Sequence, residues 1–188
     1  RVCARHPGIA ALLLEKNAEL RLVEFVQHDN LGVACDAFES LRALLLDTDA
    51  ATSFLDTRFD GLVDHLHSLL GMSYFIQRQT LWLLGNLLLK RGNTGFMMRY
   101  VNDHKFLEMH MKLLLDTSQK IQEGAFHVFK IFVANPYKPR QVDKILAKNR
   151  GKLLRYLSGF RLRVADMALI EDLQTVTDVL EASVPPPA

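Results

Sequence analysis

Apolar positions recur at helical spacing along nearly the whole chain. Between residues 121 and 133 they fall at Ile121, Ala125, Val128, Phe129, Phe132 and Val133. These are offsets i, i+4, i+7, i+8, i+11 and i+12, which put one broad stripe on one side of an α-helix. Asn135-Pro136 is expected to end this helix, because Pro136 disfavours helical geometry at the residue before it. An earlier segment has the same offsets at Ile76, Thr80, Leu83, Leu84, Leu87 and Leu88. It closes with Lys90 and Arg91, cations that suit the negative end of a helix, and then Gly92, expected to take a left-handed cap. No run alternates in the manner of a strand. The pattern predicts an all-α protein.

The two helices also align with each other. Residues 73–84 (SYFIQRQTLWLL) and 118–129 (SQKIQEGAFHVF) carry Ser, Ile and Gln at matching places, 45 residues apart. Residues 30–41 (NLGVACDAFESL) fit the same frame 43 residues earlier, with Val33 under Ile76 and Phe38 under Leu81. A weaker fourth copy starts near Val164. Ala37, Thr80 and Ala125 share one column, where helices are expected to approach closely. A period in the low forties with two or three helices per unit marks HEAT or armadillo arrays, whose units bury their apolar faces only by stacking. The expectation is one armadillo-like helical-repeat domain over 1–182, a curved right-handed superhelix. Its N-terminal repeats are expected upstream, since the chain opens RVCARHPGIA without a methionine or a charged-then-apolar leader. A frayed proline-rich tail is expected at 183–188.

The repeat frame places the polar residues. His127 lies four residues after Glu123 and three before Lys130, all off the apolar stripe, which reads as the polar flank of a helix with a surface histidine near a carboxylate. Its column across the copies is Glu39, Trp82, His127. The column one turn earlier is Cys35, Arg78, Glu123. In armadillo-like arrays the last helix of each unit lines the concave groove, so these columns form a candidate binding surface.

Nothing in the sequence points to catalysis. There is no H-E-x-x-H, P-loop, G-x-S-x-G or dinucleotide glycine pattern. His65 and His67 face different sides of a helix, and His104 and His110 have no suitable neighbours in the sequence. Cys3 and His6 make an isolated C-x-x-H. Residues 47–58 (DTDAATSFLDTR) resemble a calcium loop only faintly, lacking the central glycine and ending in Arg58 where the loop needs a glutamate. The expectation is a protein without enzymatic activity, metal or cofactor.

The chain has 188 residues, 49% hydrophobic, with formal net charge +2. That supports a sizeable core and does not by itself imply nucleic acid. No apolar run is long enough for a membrane span. The two cysteines, Cys3 and Cys35, form no framework, which favours a reducing, cytoplasmic setting. Charge is uneven. Residues 138–163 hold nine Lys or Arg (138, 140, 144, 148, 150, 152, 155, 161, 163) against Asp143 alone, so the segment carries +8 and the remainder −6. It reads as a solvated basic face, or as a docking patch for an acidic partner, RNA or an anionic membrane.

The segments RQTLWLLGNLLLKR, MMRYV, IQEGAFHVFKIFVANP and LSGF resemble the calcium-binding protein 39 family, also called mouse protein 25, with the densest match from Ala125 to Pro136. RVCARHPGIAALLL, ACDAF and FLDTRFDGLVDHLHSLL extend the likeness over roughly residues 1–160, the C-terminal half or more of such a protein. The resemblance implies a cytosolic, horseshoe-like scaffold. Its concave face would hold the kinase fold of a STRAD-type pseudokinase or a sterile-20-like (germinal-centre) kinase and favour the closed, active-like conformer. On this resemblance Tyr74 and Arg78 match groove residues, and Trp82, Glu123 and His127 join them from the repeat frame. It further implies a pocket for a partner's terminal Trp-Glu-Phe, at Arg91, Thr94, Phe96, Glu108 and Met111. Arg91 and Met111 match. Thr94 stands where the family has an aromatic residue, and Glu108 where it has a lysine. An acid there repels the peptide's carboxylates, and Phe96 is expected to restore part of the lost apolar area.

Overall fold

Three helices of 16 residues each, Leu31–Leu46, Tyr74–Leu89 and Gln119–Ala134, recur at the spacing of the sequence repeat. The structure is a computed structural model that describes residues 6–47, 50–161 and 165–183. In these residues the chain forms eleven α-helices, one short 3-10 turn and no strand. In order they are α1 (Pro7–Glu15), α2 (Ala18–Val26), α3 (Leu31–Leu46), α4 (Ala50–Thr57), α5 (Phe59–Leu70), α6 (Tyr74–Leu89), the 3-10 turn Arg91–Asn93, α7 (Thr94–Asn102), α8 (His104–Leu113), α9 (Gln119–Ala134), α10 (Arg140–Arg161) and α11 (Met167–Ala182). The protein is an all-α helical repeat, with α3, α6 and α9 each closing a three-helix unit. The fourth repeat start near Val164 and the tail beyond Ser183 lie outside the described residues.

Contacts divide the chain into two compact units, residues 1–98 with 117–124, and residues 99–116 with 125–188. In the first, α2 packs on α3, α5 on α6, and α3 on α6. Leu41, Leu44, Leu66, Leu83, Leu84 and Leu87 are all but closed to solvent, and the Phe59 and Phe96 rings meet edge to face at 5.1 Å. Ala37 and Thr80 are buried as the column required, and the Thr80 hydroxyl donates to the Ile76 carbonyl at 2.8 Å. A close helix–helix approach falls one residue before the column's third member. A Cβ on Gly124 would lie 3.0 Å from Leu81 Cβ, so only glycine lets α9 sit so close to α6. In the first copy the buried stripe starts at Ala34, and Val33 is 38% exposed.

Helix ends are satisfied partly across helices. Asn30 caps α3, its Oδ1 accepting from the amides of Gly32 (2.9 Å) and Val33 (3.3 Å). Lys90 donates to the Leu46 carbonyl at 2.8 Å, so it caps the C-terminus of α3, while Gln77 caps that of α5 through Leu70 at 2.9 Å. The left-handed cap expected at Gly92 does not form. α6 stops on extended Lys90 (φ −67, ψ 123), and no described glycine has positive φ. Gly92 instead leaves room for Thr52, whose Oγ1 is 3.2 Å from where a Cβ would stand. The segment with the faint calcium-loop likeness is helix α4 from Ala50 onward. Among the described residues no group of three or more His, Cys, Asp or Glu is placed to hold a metal.

In the second unit Tyr100, Phe106, His110 and Phe132 form an aromatic cluster. The Tyr100 hydroxyl lies 2.7 Å from His110 Nε2, and both residues are enclosed. Burial pushes the Tyr100 phenol well above its usual value, so it stays neutral and can donate. The partner that the sequence did not offer His110 comes from α7. α10 buries Val142, Leu146, Leu153, Leu157 and Phe160, and packs against α11.

Candidate partner-binding surface

α6 buries Ile76, Thr80, Leu81, Leu83, Leu84, Gly85, Leu87 and Leu88 and has only five exposed residues. These are Tyr74, Arg78, Trp82, Asn86 and Leu89. The first four are spaced i, i+4, i+8 and i+12, which makes a single stripe of about 18 Å at 1.5 Å per residue. Tyr74 is 51% and Trp82 47% exposed. Large aromatics left in solvent on an otherwise leucine-rich helix contribute little to the core, and with Arg they are the side chains that dominate protein interfaces.

Trp82 is held from its neighbour in the stack. The Arg42 guanidinium of α3 stands 5.8 Å from the Trp82 ring centroid, within cation–π range. Glu39 fixes Arg42 in turn, accepting at 2.9 and 3.1 Å, and this pairing raises the Arg42 pKa. Glu39 and Trp82, two of the three members of the predicted column, are thus linked across α3 and α6 through Arg42.

Glu123 lies in the second turn of α9 beside Gly124, which packs close to Leu81 of α6. Its carboxylate accepts from Lys120 at 2.7 Å and from Gln119 at 3.2 Å. His127 is exposed on α9, its ring beside that of Phe126, and belongs to the second unit.

The residues of the second site are divided between the units. Arg91 and Thr94 are exposed in the first, and the Thr94 hydroxyl donates to the Arg91 carbonyl at 3.1 Å. Phe96 is 0% exposed against Phe59, so its ring belongs to the core and presents no apolar area in place of the missing aromatic. Exposed Glu108 and half-buried Met111 lie on α8 in the second unit.

The basic segment proves heterogeneous. Arg150 donates to the carbonyls of Leu180 (2.7 Å) and Glu181 (2.6 Å), capping α11. Arg161 bonds Gln174. Lys138 donates to the Asn135 carbonyl at 2.7 Å, and burial lowers its pKa. Arg140, Lys144, Lys148, Lys152 and Arg155 are exposed and share one face of α10 by their spacing. Arg163 lies outside the described residues.

A family model described as Mo25-like matches residues 1–182. The chain belongs to the Mo25-like family. Similar relatives include the degreening-related gene dee76 protein of Auxenochlorella protothecoides, 43% identical over 85% of this chain and 50% of that protein. The Mo25-like protein of Schizosaccharomyces pombe is 38% identical over 85% of this chain and 49% of its own length. The human calcium-binding protein 39-like is 36% identical over 88% and 50%. This Mo25-like chain therefore spans about half the length of the curated relatives it matches. Arg42 and Asn86, which complete the α6 surface, were missed by sequence reasoning. The i, i+3 pairing of Glu39 with Arg42 was the available signal.

Proposed function

We propose that this chain belongs to a non-catalytic cytoplasmic scaffold that binds and activates a sterile-20-like kinase or a STRAD-type pseudokinase through the exposed face of α6. The observation that supports it most is the stripe Tyr74, Arg78, Trp82, solvent-facing on a helix whose other positions are almost all buried. Family membership makes kinase binding the reading to test first. Arg78 can make several hydrogen bonds to a carboxylate or a helix end, and Tyr74 and Trp82 supply rigid area at low entropic cost. Activation needs no chemistry from the scaffold. By binding the closed conformer better than the open one it shifts the kinase population, and a swing from 1:99 to 99:1 takes about 10⁴-fold preference. The test is affinity for the organism's sterile-20-like kinases, wild type against Arg78→Ala, with kinase activity read alongside. Tight binding with raised activity, both reduced in the variant, is expected. Undiminished affinity in Arg78→Ala would remove the α6 assignment.

The exposed row Arg140, Lys144, Lys148, Lys152 and Arg155 supports a second reading, docking of an acidic partner. Binding through that face falls steeply with salt and is lost when Lys148, Lys152 and Arg155 are reversed to glutamate. Glu108, an acid where the resemblance implies a lysine, is proposed to weaken binding of an acidic tail or to favour a less acidic one.

A further inference from the structure

In the first unit, away from the α6 stripe, α2, α4 and α5 enclose a pocket of ≈ 360 Å³ that opens to solvent. Its apolar wall is Leu20, Phe54 and Leu62. Glu19, 3% exposed, lines it, and Glu19 Oε2 is buried without a hydrogen-bond partner. Buried polar atoms in native proteins have partners, and a carboxylate oxygen can only accept. Burial pushes the Glu19 carboxyl up from its ordinary value, against the pull of its own backbone amide, Arg58 and His65. Arg58 shares the pocket and does not hydrogen-bond Oε2. Asp60 adds a second carboxylate to the lining. His65 turns Nδ1 to the Gly61 carbonyl. Gly61 also lines the pocket, and a Cβ there would meet nothing within 4 Å.

We propose that this pocket is a binding site for an alkyl guanidinium, its charged head donating to Glu19 and its methylene stem lying along Leu20, Phe54 and Leu62. Long cationic side chains bury their stems on apolar surface in this way, and guanidinium pairs with carboxylate through two parallel bonds. The proposal does not depend on the kinase reading. The same chemistry reaches the pocket either as an arginine side chain of a partner polypeptide or as a free small molecule.

The test titrates isotope-labelled protein with N-acetyl-arginine amide, with agmatine, and with N-acetyl-citrulline amide as a neutral isostere. Amide shifts of Leu20, Gly61 and Leu62 are read by NMR. Saturable shifts with a guanidinium probe and none with citrulline are expected. Glu19→Gln should weaken binding at least tenfold, and Gly61→Trp, which fills the pocket, should abolish it. A capped arginine at least as tight as agmatine points to a polypeptide source, and tighter agmatine to a small molecule. The Gln variant keeps its shape. An acid whose folded pKa is raised destabilises the fold above that pKa, so its removal leaves melting at pH 7 equal or higher. No saturation by either guanidinium probe, equal shifts from citrulline, or full affinity in Glu19→Gln would overturn the proposal.

Discussion

α6 and α10 both present unbroken polar-side stripes, yet their exposed residues stand in different relations to the fold. On α10 the cations are numerous, but Arg150 caps α11, Arg161 bonds Gln174 and Lys138 bonds Asn135. Part of the charge that makes the segment conspicuous in the sequence holds the second unit together. On α6 the exposed residues are few, and those with the largest side chains, Tyr74, Arg78 and Trp82, have no part in the leucine core beneath them. A count of charges overstates the free surface of α10. A count of apolar residues hides the free surface of α6, because Trp82 and Tyr74 add to hydrophobicity while facing water.

The largest expected effect lies on α6. Arg78→Ala should lose about 2 kcal/mol or more of kinase affinity, roughly 30-fold, with melting unchanged. Calorimetric titration and a thermal scan of the same sample check both halves. Gly124→Val probes the packing that sets Glu123 beside α6. With a Cβ already at 3.0 Å from Leu81, overpacking should cost about 1–3 kcal/mol of stability, read by urea unfolding. Arg150→Met keeps the stem and removes two bonds to the last turn of α11. A loss of about 1 kcal/mol is expected, with faster hydrogen exchange in α11 near Leu180. Smallest should be the triple reversal of Lys144, Lys148 and Lys152, exposed cations for which no bond is seen among the described residues. Surface substitutions of this kind stay within about 0.5 kcal/mol each, and kinase affinity should hold. If the reversal unfolds the protein or abolishes kinase binding, the contrast between the two helices fails.

Much of the fold was legible because α3, α6 and α9 each repeat one apolar stripe at a constant interval, and a stripe of that width specifies a helix with one buried side. The exposure of Arg78 followed from the same periodicity, whereas Trp82 could equally have packed between repeats and is 47% exposed. What the sequence could not show depends on contacts between helices. Lys90 was read as serving its own helix end and instead caps α3. Gly92 was expected to be left-handed and instead admits Thr52. Phe96 was assigned to a pocket wall and lies in the core against Phe59, since the approach of α5 and α7 is invisible to local spacing. His110 gains Tyr100 from the preceding helix for the same reason. The Glu19 pocket needed three helices to meet, and only the spacing of Glu19 four and seven residues before Val23 and Val26, on one side of α2, hinted at it.

The central claim, that α6 rather than α10 meets the kinase, can be tested on native side chains without mutation. Hydroxyl-radical footprinting reads the oxidation of Tyr74 and Trp82 on α6, and of Tyr137, 81% exposed just before α10, in the protein alone and in its kinase complex. The account predicts strong protection of Tyr74 and Trp82 with Tyr137 unchanged. Protection of Tyr137 with Tyr74 and Trp82 as reactive as before would contradict it.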